Sequence, residues 1–107
     1  QSDGQLVESL EKNASGLHVN DQTIWFANNE TKNGNYLNKI SFIAFNTSLN
    51  HYIFDVKPNV RYNLFVNNKL MQTKNASSNG VLIFSQPINK GDTVLIKVLT
   101  KNNIKIL

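Results

Sequence analysis

An all-β domain, an antiparallel sandwich of about seven to eight strands, is predicted by three features of this 107-residue sequence. Beyond the first dozen positions the apolar residues alternate with period two rather than 3.6, the spacing of a half-buried strand. They come in short bursts such as Val81-Leu82-Ile83-Phe84, and turn formers separate the bursts every eight to twelve residues. Many short strands at that spacing are the arithmetic of a two-sheet sandwich.

Taken in order, residues 1–14 form a linker, a short helix or a first strand, and residues 15–107 the sandwich. Ser2 or Asp3 would cap a helix running to Lys12 with Leu6, Val7 and Leu10 on one side; alternatively Leu6 to Leu10 pairs as a strand. The predicted strands are 23–27, 39–45, 51–56, 62–66, 69–72, 81–85 and 93–99, with weaker signals at 17–19 and 104–107. Side chains two apart share a sheet face, which gives inward sets Ile40/Phe42/Ala44, Tyr52/Phe54/Val56, Tyr62/Leu64/Val66 and Val94/Ile96/Val98. The first two sets are expected to pair across the 46–50 connection. The reverse faces hold Ile43, Phe45, Phe65, Leu82, Phe84, Leu95 and Leu99, more apolar surface than a fully wet exterior needs. Either loops cover these strands or a neighbouring domain does.

Composition narrows the function classes. The 18 asparagines cluster at Asn28-Asn29, Asn33-Gly34-Asn35, Asn67-Asn68, Asn79-Gly80 and Asn102-Asn103. Asn tolerates positive φ and bonds its own backbone, so these are turn positions. Four Asn-x-Ser/Thr sequons, at Asn13, Asn29, Asn46 and Asn75, are about what chance gives at this composition, and an AT-rich bacterial source explains the Asn and Lys bias. The chain contains no cysteine, hence no disulfide and no thiolate chemistry. No apolar run approaches the roughly 20 residues of a membrane span, so membrane insertion is not expected. The start at Gln1 is read as a processed secreted product or a piece of a longer chain.

Net charge is +4, but residues 1–56 carry three Lys against six acids and residues 57–107 carry eight Lys/Arg against Asp92 alone. The basic residues are scattered without a dense run, as on ordinary solvated strands. Nucleic-acid binding would need aromatics interleaved with Lys/Arg on one sheet face, and the basic half lacks that stripe.

Val56-Lys57-Pro58-Asn59-Val60-Arg61-Tyr62-Asn63-Leu64 resembles the apolar-x-Pro-x-Thr-x-Tyr-x-Val entry to the sixth strand of fibronectin type III and related immunoglobulin-like sandwiches, with Val60 in the threonine position. The resemblance implies an immunoglobulin-like (fibronectin type III-like) sandwich and a tyrosine corner: the Tyr62 ring in the core, its hydroxyl bonded back to the loop, and Pro58 fixing the approach. Over residues 51–99, the Asn67-Asn68 hairpin, Ser77-x-Asn79-Gly80-x-x-x-Phe84 and Lys90-Gly91-Asp92-x-Val94-x-Ile96 look like the small C-terminal sandwiches of secreted bacterial polysaccharide lyases and glycoside hydrolases. Such domains pack against or space a catalytic domain and sometimes bind glycan. The resemblance implies no catalytic residue here.

The reactive groups are few: His18, His51, Asp3, Asp21, Asp55, Asp92, Glu8, Glu11 and Glu30. A triad needs a base oriented by an acid and touching a nucleophile, and no strained nucleophile elbow is present. His51 and Asp55 stand about 13 Å apart along an extended strand. Two histidines without cysteine make a zinc site improbable, so no metal or other cofactor is expected. Trp25, Phe26, Tyr36 and Tyr52 are the rings not consumed by the core pattern, and Trp25 and Tyr36, with Asn33 and Asn35, are the candidate glycan contacts. A lone Trp on an early sandwich strand is, however, more often a core residue. The expectation is a non-catalytic accessory domain of a secreted or cell-surface, carbohydrate-active bacterial protein, its partner a neighbouring catalytic domain and potentially polysaccharide. The alternatives are an autonomous carbohydrate-binding module and an adhesin domain.

Overall fold

The computed structural model describes residues 4–28 and 35–99. Among these residues there is no helix, and nine strands form two sheets: β1 (Gln5–Glu8), β2 (Ala14–Val19), β3 (Gln22–Ala27), β4 (Lys39–Ile43), β5 (Ser48–Phe54), β6 (Arg61–Val66), β7 (Lys69–Asn75), β8 (Val81–Ile88) and β9 (Thr93–Val98). One sheet has the order β1-β2-β3-β5-β8, the other β4-β9-β6-β7. The all-β sandwich predicted from periodicity is the fold. The N-terminal segment resolves as a strand, because β1 pairs antiparallel with β2 from Gln5↔His18 to Glu8↔Ser15. The 104–107 signal and Asn33 fall outside the described residues.

Two pairings differ from expectation. β4 pairs with β9 and not with β5, so the connection after β4 crosses from one sheet to the other instead of closing a hairpin. β3 and β5 consequently run parallel, Gln22↔Asn50 to Trp25↔Ile53, while the other named strand pairs are antiparallel. Asparagine supplies the turn chemistry: Asn67 and Asn68 sit at φ 52° and 70°, the two left-handed positions of a tight hairpin, and Asn20 and Asn59 are left-handed as well.

The two long sides of the sandwich are closed differently. Between β7 and β8, Gln72 Nε2 donates to Ser85 O (2.7 Å) and to Gln86 Oε1 (2.9 Å), while Pro87 removes a donor from the β8 edge. On the other side the β1–β2 turn reaches the edge of β4: Leu10 N–H donates to Ser41 O (2.8 Å), Ser41 N–H to Glu11 Oε1 (3.0 Å), and Asn13 Nδ2 to Lys39 O (2.7 Å).

The core lies between the sheets around Trp25, Ile40, Phe42, Ile53, Tyr62, Leu64, Leu82, Phe84, Val94 and Ile96. Three of the four inward sets are there; Tyr52 and Phe54 are not. On β5 the buried residues are Ser48, His51 and Ile53. The cause is Asp55, whose left-handed backbone (φ 64°) breaks the alternation, so that Val56 is buried although the strand before it has the opposite phase. Leu82 and Phe84, expected on a reverse face, pair directly with Ile53 and His51 and therefore lie in the core with them. Asp55 is tied down structurally: its Oδ2 accepts from Ala27 N–H (3.0 Å) and its carbonyl from Leu37 N–H (2.8 Å).

His51 is accepted in the core because both ring nitrogens are used. Nε2 lies 2.9 Å from Gln86 O, an acceptor, and so carries the proton; Nδ1, 2.9 Å from Thr23 Oγ1, then accepts from the hydroxyl. Burial holds its pKa below the ordinary 6.5, against a raising effect of the Gln86 bond and with a small lowering effect of His18. The unfolded chain therefore binds a proton that the native one refuses. Stability is complete above pH 6.5 and falls as the pH drops from there through the lowered native value. Denaturant melts between pH 8 and 4 should show this loss, and His51→Gln should flatten the part of the profile that begins near 6.5; an unchanged profile would exclude His51 as its source.

Candidate functional site: the outer face of the five-stranded sheet

Directly paired residues project from the same side of a sheet. Following the registers outward from β1 gives one transverse row, Leu6, Leu17, Ile24, Tyr52 and Ile83, one residue from each of the five strands. A second row contains Glu8, Ser15 and Phe26 on the first three strands and Phe54 and Val81 on the last two. None of these residues is buried: Leu6 is 76% exposed, Phe26 47% and Ile83 44%. The single charge in the two rows, Glu8, stands at the rim and meets Lys12 at 3.9 Å. An apolar strip spanning a whole sheet with its charge confined to one corner is what interaction surfaces look like, and it exceeds the scattered apolar residues of an ordinary exterior.

The aromatic geometry on this face favours packing over sugar stacking. Phe26 and Phe54 stack on each other, centroids 5.2 Å apart and planes 19° from parallel. Each ring spends one flat side on its neighbour. A sugar needs such flat sides free to receive its C–H face.

The described candidates, Trp25, Asn35 and Tyr36, are not brought together into a glycan platform. Trp25 is 1% exposed, set between the sheets against Phe42 (centroids 4.6 Å) and over Gly16, so it is a core residue and cannot stack a sugar. Tyr36 is half-buried and Asn35 exposed, both in the β3–β4 connection beside the Leu37↔Val56 bridge. At the same end of the sandwich the Tyr62 hydroxyl accepts from Lys57 N–H (2.9 Å) and donates to Leu37 O (2.6 Å). Burial raises its pKa, opposed by the Lys57 bond, which keeps the hydroxyl protonated and able to donate. Pro58 lies in the intervening turn next to Gly80, whose backbone is left-handed (φ 78°) and whose missing Cβ leaves room for Val56 O, which a Cβ would meet at 2.8 Å. Among the described residues no group of three His, Asp or Glu side chains is placed to hold a metal ion.

Sequence reasoning missed most of the apolar face. Phe26 and Tyr52 stood out as rings without a core role, but Leu6, Leu17, Ile24 and Ile83 carry no local mark; only the pairing register aligns them. No protein-family model matches the chain, and no curated protein matches it either.

Proposed function

We propose that this chain is a non-catalytic accessory sandwich of a secreted bacterial, carbohydrate-active protein, and that it works by packing the outer face of its five-stranded sheet against a neighbouring catalytic domain. The observation that carries the reading is the Leu6–Leu17–Ile24–Tyr52–Ile83 row, uncharged across all five strands. Burying such a strip is worth roughly 25 cal/mol per Å² of apolar area, and no charge has to be desolvated in its middle. Gly4 supports the arrangement, since a Cβ there would meet Leu17 and Val19, placing the N-terminal approach over this same face. A domain joined ahead of it would emerge beside the surface it is to cover.

The immunoglobulin-like assignment and the carbohydrate-active context come from the resemblance over residues 51–99. Two features support the former. β6, β7 and β8 are successive neighbours around the sandwich and β9 returns beside β6, the 4-1-2-3 order of a Greek key. The Tyr62 hydroxyl bonds to the backbone five residues upstream, as in a tyrosine corner. One feature departs from it: among the described residues three strands follow the tyrosine strand, where a single strand follows it in immunoglobulin domains.

The absence of cysteine makes the docking reading directly testable. Ile83→Cys places one thiol on the face. In the isolated domain it should react freely with maleimide, and in the protein containing the neighbouring domain it should react about tenfold more slowly or less, as expected of a desolvated interface centre. Equal rates would overturn the reading; retention on insoluble polysaccharide, lost in Tyr52→Ala, would replace it with carbohydrate binding.

A further inference from the structure

Among the described residues one buried side-chain polar atom lacks a hydrogen-bond partner, the Nε1 of Trp25. A buried N–H left unpaired is costly, and native folds supply it with an acceptor, a water or a ligand. Trp25 lines a cavity of about 20 Å³, room for one oxygen-sized group. Its walls are apolar (Val7, Phe42, Ala44) or neutral and polar (Thr23, Ser48), together with His18, whose Nε2 is 3.3 Å from Thr47 O. Toward solvent the cavity shares Val7, Glu8, Ile43, Ala44 and Phe45 with an open groove of about 470 Å³ between β1 and β4. Leu10, Lys90 and Gly91 complete the groove.

We propose that this cleft binds a small, mainly apolar, uncharged molecule bearing one hydrogen-bond-accepting oxygen, with the oxygen in the inner cavity on Trp25 Nε1 and the hydrocarbon body in the groove against Val7, Ile43 and Phe45. The volume of the inner cavity sets the size of the polar end. An anion is disfavoured because no lysine or arginine lines the inner cavity and the Glu8 carboxylate stands where it opens into the groove. The cleft adjoins the apolar sheet face at Glu8 but is lined by other apolar residues, since alternation along β1 sends Leu6 to that face and Val7 into the groove.

The lone tryptophan makes the site its own reporter: a ¹⁵N-labelled sample shows a single indole N–H resonance. Cyclohexanone, which has an acceptor oxygen and no donor, should shift that resonance downfield to saturation. Cyclohexane and cyclohexanecarboxylate should leave it in place. Ile43→Asp, at an exposed position, should abolish the ketone response without changing the thermal midpoint. For Trp25→Phe, which removes the reporter, saturation transfer to the ketone should be lost while the fold persists by circular dichroism. The proposal is overturned if the ketone leaves the resonance unmoved and only a long-lived water is detected at the indole proton, or if Ile43→Asp responds like the parent sequence.

Discussion

Trp25→Ala is expected to destabilise the domain by about 3–5 kcal/mol, the range for emptying a core aromatic site, and to lower the midpoint of thermal unfolding by roughly 15 °C or more. The indole is among the largest fully buried side chains and touches both sheets: it packs on Phe42 of β4 and over Gly16 of β2. Its removal leaves a void that the neighbours cannot fill, because Gly16 has no side chain to move inward. With total stabilities of ~5–15 kcal/mol for domains of this kind, little reserve would remain. Calorimetry on Trp25→Ala beside Ile83→Ala, an exposed outer-face substitution, separates core from surface. Equal midpoints for the two variants would contradict the placement of Trp25.

Tyr62→Phe keeps the ring and removes one atom, yet the expected loss is on the order of 2–4 kcal/mol. The hydroxyl is the shared partner of Lys57 N–H and Leu37 O, and each orphaned group costs about 1–3 kcal/mol. These bonds fasten the turn before β6 to the segment before β4, so local opening should follow. Amide exchange at Lys57 should accelerate in the variant ahead of exchange within β5. A midpoint shift of less than about 2 °C would show that water replaces the hydroxyl without penalty.

The fold class was legible because it rests on period and spacing, which any stretch of the chain reports on its own. Strand pairing was not, because it is a relation between stretches. The stretch after β4 reads as a hairpin connection, yet the chain crosses there to the other sheet before β5 begins at Ser48, and nothing local separates the two outcomes. The error on β5 is more instructive. Tyr52, Phe54 and Val56 make a coherent alternating set in the sequence, and one residue, Asp55 at positive φ, puts the third out of phase with the first two. His51 is polar by type and buried by circumstance, since Thr23 and Gln86 satisfy it from strands far away in the chain. The apolar outer face was illegible for the same reason as the pairing: it takes one residue from each of five strands.

The connectivity that makes β3 and β5 parallel neighbours also governs how the domain can be assembled. The chain passes between the sheets at β3–β4, β4–β5, β5–β6, β7–β8 and β8–β9, so neither sheet is encoded by one continuous stretch. Half a sandwich cannot form ahead of the other half, and the β3/β5 contact cannot zip from a turn, because β4 must first travel to the opposite layer and back. Loop-closure entropy is spent before the contacts that repay it, which places folding in the millisecond-to-second regime of non-local β topologies. On a ribosome, β6 must wait for β9 before it gains its inner neighbour, and β5, already beside β3, must wait for β8 before its outer side is paired. The domain therefore commits to its structure only once β8 and β9, the last of the described strands, have been made.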